Sequence, residues 1–301
     1  MKEAGIKSLI FDLRGNGGGS LIAAIKIAGL FVDEGPMVQV KTSGQRVKSY
    51  NDREKGSVWD GPLVIMVNEG TASASEIVAA ALQDYGRALV LGTSQTFGKG
   101  TVQNILDFDR AAGPFNSSLR PLGALKLTIQ KYYRISGGTT QLEGVQSDIV
   151  LPHPYENFSF GEREMEFPLP VDQVLPVAYD SISKRNFEKV ILKSQNRIST
   201  NSEFKQIKAY SSWLDTQKTQ TNIPLSYRDY FEREQNLNKE IKKYSDVLES
   251  ENQVKIDWVN KGSRENLDSL DIIKYEKWFK SLSRDMYLAE GIRVVNDIEN
   301  T

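Results

Sequence analysis

The tightest constraint on what this chain can fold into lies between Leu63 and Gln103. Five apolar residues in a row, Leu63-Val64-Ile65-Met66-Val67, read as a buried strand. The small residues Gly70-Thr71-Ala72-Ser73-Ala74-Ser75 then turn the chain into a helix, in which Ile77, Val78, Ala81 and Leu82 share one face. Gly86 stops the helix, and Ala88-Leu89-Val90-Leu91 is the next strand. A serine in such a strand–turn–helix junction suits a nucleophile. Its hydroxyl projects from the turn, and the first free N–H groups of the helix point at developing negative charge. The usual base is scarce, because the only histidine is His153, between two prolines. Lysine can serve instead, as in serine–lysine variants of the triad, and Lys99 sits in a glycine bracket, Phe97-Gly98-Lys99-Gly100-Thr101.

Two nucleotide motifs are excluded by spacing. A phosphate loop needs glycine five residues before the second glycine and Ser/Thr directly after the lysine; those places hold Thr93 and Gly100. Gly15-x-Gly17-x-x-Ser20 ends in serine and lacks the acidic residue a dinucleotide site requires. Taken singly, Lys99 reads as a solvated surface lysine and Ser73 as a helix N-cap, a task open equally to Thr71 and Ser75.

Together with their surroundings these residues resemble a family. Ser73-Ala74-Ser75-Glu76-Ile77, Gln83-Asp84-Tyr85-Gly86-Arg87-Ala88 and Thr96-Phe97-Gly98-Lys99-Gly100-Thr101-Val102-Gln103 are similar to segments of the carboxy-terminal processing (tail-specific) proteases. The likeness extends to Asp12-Leu13-Arg14-Gly15-Asn16-Gly17-Gly18-Gly19 and through Leu127–Ile149. The resemblance implies a serine–lysine endopeptidase that trims proteins from near their C-termini, with Ser73 as nucleophile and Lys99 as base. It implies that Gln103 positions the amine, that the N–H groups of Gly19 and Ala74 form the oxyanion hole, and that Asp84 supports the site; the simpler reading of Asp84 is a pair with Arg87. Lysine is a base only when neutral, and burial and the positive end of the helix after Ser73 push it that way. No metal or cofactor is implied. The implied partners are protein or peptide substrates presenting C-terminal tails, with an adaptor or a homo-oligomer besides, and the implied location is periplasmic or membrane-associated facing the periplasm. Members of the family carry a signal peptide or anchor, further catalytic-domain sequence and a PDZ domain ahead of this point. The expectation is therefore an N-terminally truncated C-terminal part that lacks the PDZ domain and cleaves poorly alone.

Along the chain, Lys7–Leu13 reads as a strand, Ser20–Phe31 as a helix, and Met37–Thr42 with Arg46–Tyr50 as a hairpin. Asn104–Phe108 and Leu125–Ile135 read as strands on either side of an irregular loop, Ala111–Pro121. Pro152–Pro176 is proline-rich and without periodicity. Beyond it, charged residues recur at helical spacing and predict helices over Phe187–Ile198, Ser202–Thr219, Ser226–Leu248 and Leu267–Ile298, with Trp213, Trp258 and Trp278 as packing residues. The fold expected is an α/β core of the ClpP/crotonase-like β/α spiral type over 1–152, a linker over 153–176 and a mainly α-helical C-terminal domain over 177–301. With 301 residues and no internal repeat, two domains are the natural division. The net charge of −1, without a basic stripe, argues against nucleic acid. The absence of cysteine excludes disulfides and thiol chemistry. Two rival readings remain: a non-catalytic fragment serving as a binding or structural module, and an acyl-CoA-handling crotonase relative, which would lack the serine–lysine pair.

Overall fold

The computed structural model describes residues 5–113, 120–182, 187–248, 254–258 and 268–300. The run Leu63–Val67 forms β4, the most deeply buried strand, with all five residues inaccessible to solvent. It lies within a four-stranded parallel sheet of order β1-β4-β5-β8, with β1 at Leu9–Asp12, β5 at Leu89–Gly92 and β8 at Ile149–Val150. Side chains alternate across a strand, so β4 needs cover on both faces, which explains its unbroken apolar sequence. Leu63, Ile65 and Val67 face a core completed by α1 (Leu21–Gly29) and α2 (Ala74–Asp84). Val64 and Met66, with Leu89, Leu91 and Ile149, face a second core.

The first core is closed by an antiparallel sheet of order β3-β2-β7-β6, formed by β2 (Gly35–Thr42), β3 (Lys48–Asp52), β6 (Thr101–Asp107) and β7 (Ala124–Tyr133). Met37, Val38, Val40 and Tyr132 pack from it against α2. Enclosed on all sides, α2 is buried from Ala74 to Leu82, more completely than a single apolar face predicts. Phe108 does not extend β6; Asp107 accepts N–H bonds from Asp109 and Arg110 and starts the short helix α3 (Phe108–Ala111). Most of the expected Ala111–Pro121 loop lies outside the described residues.

The second core is closed from the far end of the chain. α4 (Phe187–Thr200), α5 (Ser202–Lys218) and α8 (Met286–Glu299) supply Val190, Ile198, Phe204, Ile207, Val294 and Val295 to the face of Val64 and Met66. Gly291 of α8 lies so close to the sheet that a Cβ there would stand 3.3 Å from Met66 Sδ and 3.4 Å from Leu91 Cδ2. Buried Glu290 binds Ser194 Oγ (2.7 Å) and Arg197 Nε (2.9 Å), clamping α8 to α4. The guanidinium of Arg14, just past β1, bridges Asp12 and Asp285 at 2.7 Å each. The helices are thus the second layer of the parallel sheet.

The stretch 153–176 carries only a 3-10 turn at Glu162–Glu164, yet it adheres to the core. Glu162 N–H donates to Phe97 O, Gln141 Nε2 to Leu169 O, Lys131 Nζ to Pro170 O and Val174 N–H to Gly137 O. The single helix expected over Leu267–Ile298 is two: α7 (Ser269–Ser283) ends at Arg284, and Asp285 caps α8 by accepting from the N–H groups of Tyr287 and Leu288. An aspartate that captures backbone donors starts a new helix rather than continuing the old one; residue 267 lies outside the described residues. Between α5 and α7, α6 (Tyr227–Leu248) packs on α5 through stacked Tyr210 and Tyr244, with Trp213 alongside. Trp258 packs on Tyr275 and Phe279, and Trp278 packs on the same two rings while remaining 52% exposed, at the edge of the cluster. Among the described residues no helix is long and apolar enough to cross a membrane.

Gly291→Leu tests the shared layer. Leucine favours helix, so any loss must come from overpacking against Met66 and Leu91, at about 1–3 kcal/mol. The urea midpoint should fall while far-UV dichroism and tryptophan fluorescence keep one coincident transition. Separate transitions would mean that sheet and helices fold independently.

Candidate active site

The chain leaves β4 through a tight turn. Asn68 Oδ1 accepts the N–H groups of Gly15 (2.7 Å) and Gly70 (3.1 Å), and Thr71 Oγ1 donates to Leu13 O (2.8 Å) while accepting Asn68 N–H (3.0 Å). Thr71 is therefore committed to holding the turn. Ser75 is buried in α2. Ser73, between them, is only half-buried and has φ 58° and ψ −119°. Positive φ is rare for a residue with a Cβ and costs on the order of 1–3 kcal/mol. An ordinary N-cap has extended backbone; this conformation turns the serine out of the helix start instead.

Ser73 lines a cleft of ≈ 300 Å³ together with Gly19, Ala74, Lys99, Gln103 and Tyr132. The structure thus brings the expected nucleophile, base, orienting amide and both oxyanion donors around one space. Lys99 is half-buried, and its amine donates to Gln103 Oε1 (3.2 Å) rather than to Ser73 Oγ. Gly19 is open to the cleft, since a Cβ there would meet nothing within 4 Å. Its neighbour Gly18 has φ +95°, and a Cβ on it would lie 2.7 Å from both Ala72 O and Ala74 N and 2.9 Å from Ser73 Cβ. The glycine loop and the serine turn touch backbone to backbone, and Ala72 N–H donates to Asn16 O (3.0 Å).

Three residues that sequence reasoning passed over hold this arrangement. Glu76, fully buried, accepts the N–H groups of Ser73 (2.7 Å) and Lys99 (3.0 Å) on Oε2, and Thr96 Oγ1–H (2.6 Å) and Gly98 N–H (2.8 Å) on Oε1. Burial pushes its carboxyl up to about 7, against the pull of those four bonds. Tyr132, from β7, turns its hydroxyl to the carbonyls of Ser73 (3.1 Å) and Lys99. Burial drives the Tyr132 phenol well upward, so it stays a neutral donor. Gly18 is the third. The Ser-x-x-Glu spacing of Ser73 and Glu76 is a capping-box signal; nothing in the sequence near Tyr132 marks it.

Two residues stand apart. Asp84 lies at the other end of α2, roughly 16 Å along the axis from Ser73. It does not pair with Arg87: Arg134 binds it in a fork (2.6 and 3.2 Å), with Ser136 Oγ at 3.2 Å. Arg87 instead points inward to the carbonyls of Phe31, Trp59 and Gly61. His153 Nδ1 accepts Tyr155 N–H (3.2 Å), and its Nε2 is 3.5 Å from Glu69 Oε1. Burial lowers its pKa, and it lines another cavity with Arg14 and Tyr287.

Residues 1–151 match the sequence model of "Peptidase family S41", and residues 155–300 that of the "C-terminal domain of tail specific protease (DUF3340)". The chain is 41% identical over 187 residues to the tail-specific protease of Haemophilus influenzae, covering 60% of this chain and 26% of that protein. It is 39% identical over 167 residues to the carboxy-terminal-processing protease of Bartonella bacilliformis, covering 53% of this chain and 36% of that one. It thus spans between 26% and 36% of the length of these relatives. Among solved structures, the photosystem II D1 C-terminal processing protease is similar at 33% identity and TM-score 0.43, over 50% of this chain and 36% of that one.

The two neighbouring glycines should separate on substitution. Gly18→Ala forces a Cβ into backbone at an unfavourable φ and should cost at least about 2 kcal/mol. Gly19→Ala should leave the thermal midpoint nearly unchanged. Equal midpoints for both variants would contradict the close backbone contact.

Proposed function

The chain belongs to peptidase family S41, and from that premise we propose that it carries the catalytic machinery of a serine endopeptidase acting near the C-termini of proteins. The observation that carries this reading is the single cleft lined by Ser73, Lys99, Gln103, Gly19 and Ala74, entered from a serine turn of positive φ. Ser73 Oγ attacks the scissile carbonyl carbon, and its proton passes to the neutral amine of Lys99. The carbonyl oxygen, now negative, accepts the N–H groups of Ala74 and Gly19; removing one such donor typically costs about 10²–10³ in rate. Lys99 then protonates the leaving amine, the peptide bond breaks, and an acyl-enzyme on Ser73 remains. Water, deprotonated by Lys99 in turn, releases the acid. Gln103 Oε1 holds the amine in the cleft throughout.

Asp84 belongs to the support of this site rather than to its chemistry, since it anchors α2 to Arg134. The same reading divides the chain into a catalytic core over 1–152, a connecting segment over 153–176 and a helical region over 177–301. The names of the similar proteins support C-terminal tails of proteins as substrates. The periplasmic face of a membrane, and an adaptor or a second copy of the chain as partner, rest on resemblance alone.

The test is cleavage of an unfolded protein with and without a C-terminal peptide tail. Ser73→Ala and Lys99→Arg should each abolish turnover while leaving the circular dichroism spectrum unchanged, because arginine keeps the charge but does not act as a base. His153→Ala should retain nearly full activity. Turnover by Ser73→Ala, or loss confined to His153→Ala, would overturn the dyad.

A further inference from the structure

We propose that Glu76 is a positioning residue for the reaction: its ionised carboxylate fixes the nucleophile and the base against each other, and uptake of a proton loosens that link. The inference rests on the serine–lysine reading of the cleft.

The geometry is specific to a carboxylate. Oε2 takes one N–H from Ser73 and one from Lys99, so the two residues share a single acceptor atom. Oε1 takes the Thr96 hydroxyl and Gly98 N–H, which fixes the loop that carries Lys99. Thr96 Oγ1 itself accepts Val145 N–H (2.8 Å), which leaves its own proton to point at Glu76. Four donors converge on a group that can accept all of them only when ionised. A proton on Oε2 would face two N–H groups that cannot accept it. A proton on Oε1 would oppose Gly98 N–H and displace the Thr96 hydroxyl proton. Protonation of Oε2 breaks the link that Ser73 and Lys99 share, and protonation of Oε1 loosens the hold on the 96–98 segment while weakening the acceptor that the two residues share. On the opposite side the Tyr132 hydroxyl is shared between the carbonyls of the same two residues. Ser73 and Lys99 are therefore yoked twice, by N–H through Glu76 and by C=O through Tyr132, and only the first yoke titrates near neutrality.

The titratable group that faces Glu76 from β7 is Tyr132, whose phenol is pushed up by burial and by Glu76 and Glu162; Lys99 meets Glu76 through its backbone N–H, while its amine is engaged by Gln103. Burial is the largest influence on Glu76 and raises it from 4.5 to about 7. The linkage has a definite sign. Between those values the folded chain binds more proton than the unfolded one, so Glu76 contributes stability at low pH that is lost as pH rises through about 7. The form that the site requires predominates above that point. Fold and site thus ask for opposite states of one carboxyl, and a purely structural glutamate would show no such conflict.

The experiment uses the full chain labelled with ¹⁵N-serine and ¹⁵N-lysine. The amide resonances of Ser73 and Lys99, assigned by their disappearance in Ser73→Ala and Lys99→Ala, should titrate together with one midpoint near 7, and Glu76→Gln should abolish both titrations. In a Ser73→Ala background, the chain with Glu76 should lose thermal stability relative to its Glu76→Gln partner as pH rises from about 4.5 to about 7, and the difference should level off above that. In the active chain at alkaline pH, Glu76→Gln should lower kcat about a hundredfold or more, the scale of an ångström of misplacement, with little change in KM. Unlinked or absent amide titrations, or wild-type kcat in Glu76→Gln, would overturn the proposal. Should Glu76→Gln not fold, the wild-type titration decides alone. Co-titrating amides in a chain that cleaves nothing would leave Glu76 as described and count against the peptidase reading instead.

Discussion

Every other part of this molecule follows from β4 having no exposed face. Leu63, Ile65 and Val67 look one way and Val64 and Met66 the other, and each set must be covered. Burial of apolar surface contributes roughly 25 cal/mol per Å², and a bare face of Met66, Leu91 and Ile149 would be the kind of contiguous apolar patch that drives association. The first face is covered mainly by α1, α2 and the antiparallel sheet. The second waits for α4 and α8. A region whose sequence is polar and charged is therefore indispensable to the sheet, and its few apolar residues fall where the sheet needs them. The covering also reaches the site: Asp285, which caps α8, holds Arg14 at the root of the glycine loop.

A strand held rigid on two faces is a suitable mount for a strained serine. The unfavourable φ of Ser73 persists because its surroundings leave no alternative. Gly18 presses on the backbone from one side, Thr71 ties the turn to Leu13, and Glu76 and Tyr132 take the N–H and C=O of Ser73 itself. Each contact is modest, about 1 kcal/mol for a typical hydrogen bond and more for those to a charge. Together they exceed the strain of about 1–3 kcal/mol. The arrangement draws on a buried carboxylate, whose desolvation opposes folding, so stability is given up locally for geometry.

The sequence made the local features legible and left the distant ones hidden. The run Leu63–Val67, the small residues of the serine turn, and the glycine brackets around Lys99 and before Ser20 each announce themselves over a few positions, because backbone geometry and strand burial are decided there. Proximity in sequence points Asp84 to Arg87, whereas its fork partner, Arg134, is fifty residues away, just past the end of β7. Glu76 fits a capping box, which is true as far as it goes, since it does bind Ser73 N–H. Its other three partners lie at 96–99, and no local pattern could join them. The break at Asp285 went unread because the apolar spacing runs on through it, whereas a side chain's capture of two N–H groups has no periodicity.

Helix α2 is pinned at both ends, and the C-terminal end of β7 with the residue just past it does much of the pinning. Tyr132 reaches the Ser73 end and Arg134, two residues on, reaches Asp84 at the other. Tyr132 is in β7 and Arg134 lies one residue past its end, so two long side chains reach the two ends of the helix from neighbouring positions. The Lys99 loop precedes β6, which pairs with β7 from Thr101↔Lys131 onward. Lys99, Ser73 and helix α2 are therefore all referenced to one end of β7 in the antiparallel sheet, although the serine itself hangs from the parallel one. Sliding α2 along its axis would break the Arg134–Asp84 fork and the Tyr132 bond together, so the serine cannot drift from the lysine without losing contacts at both ends. That coupling gives Asp84 a part in the geometry of a cleft it does not line.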